Sequence, residues 1–257
     1  MTVKLFVADI DGCLSEPYAP FDLTGLATLR QMIQVAQAGH PTLPLFTLCS
    51  GRPFPYVEAM GQALGIQQPM LFEAGAGCFD PVANTITWHP RLTDAMIEQS
   101  RAVTAWAERD LIQRYPLALD HAKRTQVSLV ARTPELITEL LPEVEEVVAR
   151  EAPDLTVFQT SHSIDIHSPE LTKAEGLRWL GQQSGIDLAH MAYIGDSEGD
   201  RLALLAVGHA FAPANASAAL QHDAIQWSSE TFVAATTEAY RTCVLQNASR
   251  AGGSSAT

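Results

Sequence analysis

Asp9 and Asp11 stand two residues apart in Asp9-Ile10-Asp11-Gly12-Cys13-Leu14, directly after the apolar run Lys4 to Ala8. The period of two along a strand aims both side chains to one side. Paired carboxylates are equipped for nucleophilic attack and for acid–base work, and the carboxyl edge of a parallel sheet is where open α/β folds place their active sites. Three more segments carry candidate groups: Ser50 in Cys49-Ser50-Gly51-Arg52-Pro53, Lys173 in Leu171-Thr172-Lys173-Ala174-Glu175-Gly176, and Asp196 with Asp200 in Gly195-Asp196-Ser197-Glu198-Gly199-Asp200. Taken singly, each has a plainer reading. Residues 9–12 suit a turn, Ser50 an N-cap, Lys173 a solvated first helical turn, and Asp196 with Asp200 an acidic helix N-terminus. Each segment also falls just after a predicted strand or at a helix start, an order that the plainer readings leave unexplained.

The elements that must position these groups are legible as alternation. Lys4 to Ala8 reads as a buried parallel strand. After a loop with Pro17 and Pro20, residues 22–38 carry Leu23, Leu26, Leu29, Ile33 and Ala36 at helical spacing, and Gly39 closes the segment. A strand at Pro44 to Leu48, a helix at 54–64 and a strand at Met70 to Phe72 repeat the unit. It resumes with a helix at 172–184, a strand at Met191 to Ile194, a helix at 199–206, a strand near 209–212 and a helix at 230–246. Such alternation predicts a three-layer α/β core with a parallel sheet and helices on its faces. The middle differs: 124–131 and 155–167 alternate polar and apolar like antiparallel strands around a helix near 134–150. Residues 82–168 are therefore expected to form an inserted α+β domain between core segments 1–81 and 169–247, and the small polar tail 248–257 to be disordered.

Composition narrows the partners. The 257 residues carry 16 basic and 29 acidic side chains, a formal charge of -13. That field repels a phosphate backbone or an anionic membrane and argues against both as partners, whereas placed cations or a metal ion still admit a small anion. No apolar run approaches the roughly 18 residues of a membrane span, and the N-terminus lacks a signal-peptide core; a cytoplasmic location is expected. Cys13, Cys49, Cys78 and Cys243 have wide, irregular spacings that fit neither a zinc site nor a disulfide scaffold, so unpaired buried thiols are expected.

The four chemical segments, in order and spacing, resemble the four motifs of the haloacid dehalogenase superfamily of phosphohydrolases, and the insertion between the second and third resembles its type two, sugar-phosphatase-like cap. The resemblance implies a phosphatase in which Asp9 attacks phosphorus to form an aspartyl-phosphate. Asp11 would protonate the leaving alkoxide and then take a proton from the attacking water. Ser50 and the amides from Gly51 onward would bind the phosphoryl group, and Lys173 would supply it a positive charge. Mg²⁺ would be held by Asp9, Asp196 and the backbone carbonyl of Asp11, with Asp200 acting through a water or orienting Lys173. Two departures stand out. Ala74 in Glu73-Ala74-Gly75-Ala76 replaces the Asn of the common Glu-Asn-Gly, and Gly199 replaces the Asn that often precedes the last Asp.

The cap type implies a small phosphorylated metabolite, a sugar phosphate or a phosphoglycerate-like acid, with Arg52 on the core and Arg124, Gln126 and His162 on the predicted cap strands as candidate readers of the leaving group. A phosphomutase of the phosphomannomutase type shares these features, and a non-catalytic phosphate-binding module is the alternative from another class. A dehalogenase fits less well, since Asp11 supplies an acid that halide departure does not need. Nothing in the sequence fixes the oligomeric state.

Overall fold

The computed structural model describes residues 2–160 and 163–253. In chain order it runs β1 (Leu5–Ala8), α1 (Leu23–Gln37), β2 (Leu45–Leu48), α2 (Phe54–Leu64), β3 (Met70–Phe72), β4 (Gly77–Asp80), β5 (Thr85–Trp88), α3 (Asp94–Trp106), β6 (Leu117–Leu119), β7 (Val127–Ala131), α4 (Pro134–Glu151), β8 (Thr156–Gln159), β9 (Ser163–His167), α5 (Lys173–Ser184), β10 (Met191–Ile194), α6 (Arg201–Ala206), β11 (His209–Ala212), β12 (Ile225–Trp227) and α7 (Phe232–Gly253). The chain divides into two compact units, Met1–Thr87 with Lys173–Thr257, and Trp88–Thr172. The expected insertion at 82–168 differs at both ends. β5 belongs to the three-stranded sheet β3-β4-β5, and the segment after β9 runs on to Thr172 before α5 begins.

The first unit is built on a parallel sheet in the order β12-β11-β10-β1-β2. Its central strands are buried along their whole length, as sheets covered on both faces require. Phe6 stacks on Phe46 with ring centroids 5.5 Å apart, Tyr240 meets both edge-on, and its hydroxyl donates to the Pro44 carbonyl at 2.5 Å. Each such fully buried aromatic or aliphatic side chain is worth about 1.5–3 kcal/mol. α1 starts at Asp22, whose carboxylate accepts the Gly25 N–H, and buries Leu26, Leu29, Ile33 and Ala36 of the stripe read from the sequence; Leu23, in the first turn, is exposed instead.

β3 departs from the expected repeat. It lies beside β2 in the expected parallel sense, through the Cys49–Leu71 bridge and the Ser50 N–H donating to the Leu71 carbonyl at 3.0 Å, but its ladder partner is β4, which pairs with it antiparallel. The cause is the reversal just after it, where Glu73, Ala74 and Gly75 take positive φ values of 47°, 55° and 92° and turn the chain back. Ala74 (φ 55°, ψ 30°) lies in the left-handed region that costs an L-residue roughly 1–2 kcal/mol and that Asn tolerates better. Ala74→Gly removes that strain against a smaller gain in unfolded-chain entropy. The expected net is a stabilisation of about 0.5–1 kcal/mol, read as a rise of roughly 1–3 °C in a thermal unfolding scan.

The C-terminus supplies a second correction. Residues 248–253, expected to be disordered, continue α7. Asn247 anchors this end by donating to the carbonyls of Val3 (2.8 Å) and Thr42 (2.9 Å), and Ala248 and Ala251 extend the helix at no propensity cost.

The second unit packs α3 and α4 with the antiparallel sheet β6-β7-β9-β8. Its core draws on Val103 and Trp106 of α3, Ile137, Leu140 and Val144 of α4, and Val127, Leu129, Ile164 and Ile166 of the sheet. Polar residues alternate with these along β9. Ser128 is nonetheless buried, because Lys123 Nζ donates to its hydroxyl at 2.5 Å and that hydroxyl donates to Asp165. All four cysteines are free and buried. Among the described residues, no helix is long and apolar enough to cross a membrane.

Candidate active site

β1 and β2 run in register from Leu5 with Leu45 to Ala8 with Leu48, and β10 flanks β1 on the other side. Asp9, Ser50 and Asp196 therefore all emerge at one carboxyl edge. Pairing holds Asp9 there, since its N–H donates to the Ile194 carbonyl at 3.1 Å. Ser50 is buried in the loop after β2 and accepts the Arg52 N–H at 3.3 Å. It is not the helix cap that its residue type alone suggests, because Pro53 holds that position in α2. Gly51, beside it, is partly exposed.

Lys173, the first residue of α5, is only 7% exposed. Its ammonium donates to Asp9 Oδ2 at 2.5 Å and to Asp200 Oδ1 at 2.7 Å. Asp200 is fully buried and takes four further hydrogen bonds: from the Tyr193 hydroxyl (2.6 Å) on Oδ1, and from the Asp196 N–H (3.2 Å), the Ser197 N–H (3.0 Å) and the Ser197 hydroxyl (2.8 Å) on Oδ2. So many donors make Asp200 an anchor for Lys173. The plainer reading also holds here, for Ser197 and Asp200 form a capping box at the short turn before α6.

Two glycines make the crowding possible. A Cβ at Gly12, whose φ is +75°, would lie 2.1 Å from Asp196 Oδ2, and one at Gly195 would lie 2.4 Å from the Asp200 Cβ. The loop at 10–15 is tied down from the far end of the chain, where Asn215 donates to the Gly12 carbonyl at 2.9 Å and Thr236 to the Cys13 carbonyl at 2.6 Å.

The charges do not balance. Burial, opposed by Lys173 and reinforced by Asp200, pushes Asp9 from 3.8 up to about 6. Burial, then Asp200 and Asp9, push Asp196 up to about 8. Burial also works against Asp200 and Lys173, yet their mutual attraction outweighs it: the Lys173 ammonium and its hydrogen bond hold Asp200 below its ordinary value, while Asp200 and Asp9 hold Lys173 well above. One ammonium thus serves three carboxylates, Asp9, Asp196 and Asp200, whose ligand oxygens all lie within 4.8 Å of one another. Hard oxygen donors, surplus negative charge and a carboxylate fitted over a glycine suit a small divalent cation.

Asp11 turns away from this cluster toward Arg52, which donates to its carboxylate through Nε at 2.5 Å and Nη2 at 2.8 Å. Of the predicted substrate readers, Arg124 and Gln126 belong to the second unit. There the Arg124 guanidinium lies 5.0 Å over the Trp88 ring, Gln126 is buried near Lys123, and both line an open cavity of about 370 Å³. His162 lies outside the described residues. Sequence reasoning missed Tyr193, Ser197 and Asn215, since a strand tyrosine, a turn serine and a loop asparagine carry no spacing signal of their own.

The model of a family described as haloacid dehalogenase-like hydrolase matches residues 98–229. A phosphoglycolate phosphatase of Halorubrum lacusprofundi is 27% identical over 180 residues, 69% of this chain and 74% of that protein. One of Methanococcoides burtonii is 25% identical over 218 residues, 84% of this chain and 85% of that protein. Among solved structures, a Thermoplasma acidophilum protein shares the fold with a TM-score of 0.72 at 17% identity, over 95% of this chain and 99% of that one. The sucrose-phosphatase of Synechocystis, solved with sucrose and phosphate, gives a TM-score of 0.66 at 14% identity, over 95% and 98%.

Proposed function

This chain belongs to the haloacid dehalogenase-like hydrolases, and from that premise we propose that it hydrolyses a small phosphorylated metabolite through a covalent intermediate on Asp9. It is a phosphoric monoester hydrolase, as its relatives are named. The observation that carries the finer reading is the buried line from Asp9 through Lys173 to Asp200, beside Asp196.

A carboxylate with a pKa near 6 is ionised at neutral pH and free to attack. An Asp9 oxygen bonds to phosphorus as the ester P–O bond breaks, and the departing alkoxide takes a proton from Asp11. Asp11 then removes a proton from water, whose oxygen displaces the Asp9 carboxylate from phosphorus and releases inorganic phosphate. Lys173 holds the Asp9 carboxylate ionised against burial and sets a positive charge beside the phosphoryl oxygens. The Ser50 hydroxyl and the Gly51 amide are the neutral donors at the same edge. Asp9, Asp196 and the carbonyl of Asp11 would hold Mg²⁺, which when bound neutralises the carboxylates and the phosphoryl oxygens. The relatives' names make 2-phosphoglycolate the first substrate to try; the acidic surface opposes a nucleic acid or an anionic membrane, while Lys173 and a bound divalent cation would still admit a small anion locally.

The test is phosphate release from p-nitrophenyl phosphate, 2-phosphoglycolate and a set of sugar phosphates, with and without Mg²⁺. Release that depends on Mg²⁺ supports the reading. None from any monoester by folded protein rejects it.

The raised carboxylates also predict how metal and pH act together. Asp9 and Asp196 bind protons more tightly folded than unfolded, so their contribution to metal-free stability is full below about pH 4 and is lost as pH rises through about 6 and about 8. Mg²⁺ offsets that repulsion only where the carboxylates are ionised. The rise in melting temperature on adding saturating Mg²⁺ is therefore expected to be larger at pH 8 than at pH 5, and an equal rise at both would contradict the assignment of these ligands.

A further inference from the structure

The Asp11–Arg52 pair has the form of a receptor already holding a ligand. Both oxygens of the Asp11 carboxylate lie in the guanidinium fork, a planar bidentate match that few groups other than a carboxylate or a phosphate make. The guanidinium is walled by aromatic rings, with centroids at 4.8 Å for Tyr18 and 4.7 Å for Tyr56. Tyr18 is 72% exposed, yet its backbone sits at φ 60°, a region bulky residues seldom adopt and one associated with functional strain. The Arg52 backbone is pinned as well, its N–H donating to Ser50 Oγ at 3.3 Å and its carbonyl accepting from Glu73 at 3.0 Å. Arg52 is thus set in place before any ligand arrives, and both partners keep some access to solvent, at 17% and 28% side-chain exposure.

Asp11, in the mechanism above, has to meet the leaving oxygen. With both its oxygens turned into the fork, it can do so only by rotating out. We infer that the fork is a carboxylate receptor whose resting occupant is Asp11. A substrate whose alcohol carries its own carboxylate takes that place, so Arg52 selects phosphorylated 2-hydroxy acids and hands Asp11 to the leaving group. This rests on the phosphatase reading and extends it. A rotamer change carries the Asp11 oxygens only a short way, so the fork and the leaving oxygen are neighbours, which matches a carboxylate one or two carbons from the ester oxygen. The guanidinium is needed as such, because an ammonium offers no fork.

The test compares kcat and KM for 2-phosphoglycolate and for ethyl phosphate, which lacks the carboxylate, in Mg²⁺-loaded wild type, Arg52→Lys and Arg52→Gln, each checked for folding by thermal unfolding. Wild type is expected to favour 2-phosphoglycolate by roughly 100-fold or more in kcat/KM. Both variants are expected to shrink that preference by about 30-fold, chiefly by raising KM for 2-phosphoglycolate. Equal turnover of both substrates by wild type, or loss in the variants by one common factor through kcat, would overturn the inference and leave Arg52 as a positioning residue for Asp11. Turnover of p-nitrophenyl phosphate by wild type reads the phosphatase itself. If that is present and the carboxylate preference absent, only the inference falls; if no monoester is turned over, the phosphatase reading falls first.

Discussion

Asp9→Asn lowers Mg²⁺-dependent phosphate release by roughly 10⁴-fold or more, since removing a nucleophile that acts with its partners as a unit costs nearly the whole catalytic effect. The substitution is isosteric, and its one side-chain oxygen can keep either the Ile10 N–H or the Lys173 ammonium, which still has Asp200 as a partner. What is lost is a lone pair able to bond to phosphorus and one negative charge. Burial and Asp200 already push the Asp9 carboxyl up to about 6, so the metal-free fold gives up little when that charge disappears. Thermal unfolding without metal is accordingly expected within a few degrees of wild type, with a weaker Mg²⁺ effect because one ligand has changed. Activity above a tenth of wild type would move the nucleophile from Asp9 to a water molecule and remove the covalent step.

The site was legible where chemistry coincides with a strand end. Asp9, Ser50 and Asp196 each follow an apolar run that became β1, β2 or β10, and a polar residue after such a run has only the sheet edge to occupy. What the sequence hides is pairing. Met70–Phe72 reads as one more buried strand and keeps its parallel sense beside β2, but the antiparallel strand β4 that pairs with it is set by three successive left-handed residues, at Glu73, Ala74 and Gly75, one of them an alanine that carries no turn signal. α3 escaped notice because a serine, Ser100, falls in its buried stripe beside Ile97, Val103 and Trp106, its hydroxyl satisfied by the Thr125 carbonyl. Lys173 was recognisable as a motif residue, whereas its burial between two carboxylates was not. Burial of a charge depends on partners far apart in sequence, here 164 residues to Asp9 and 27 to Asp200.

Lys173→Met is expected to harm both stability and activity, and the two losses are separable. The ammonium is the only positive group that contacts Asp9 and Asp200 among the described ion pairs. Deleting it strands two buried carboxylates, a loss of about 3–5 kcal/mol when one partner of a buried pair is removed. In a chain of this size that is a fall of roughly 10 °C in melting temperature. Phosphate release is expected to fall by about 10²–10³-fold, the usual effect of losing one group placed where transition-state charge develops. Adding Asp200→Asn to Lys173→Met removes the stranded charge that has no role in bond making, while the amide oxygen can still accept from Ser197 and the amide NH2 can donate to the Tyr193 hydroxyl. The double variant is expected to recover about 1–3 kcal/mol, the coupling typical of residues in direct contact, without recovering turnover. Lys173 then serves two ends with one charge: it neutralises Asp200 for the fold and faces the phosphoryl group for the reaction. If Lys173→Met unfolds at the wild-type temperature, burial has already left the carboxylates protonated and the ammonium is not their counter-charge. If the double variant regains turnover, the catalytic loss came from the unpaired Asp200 rather than from the missing positive charge.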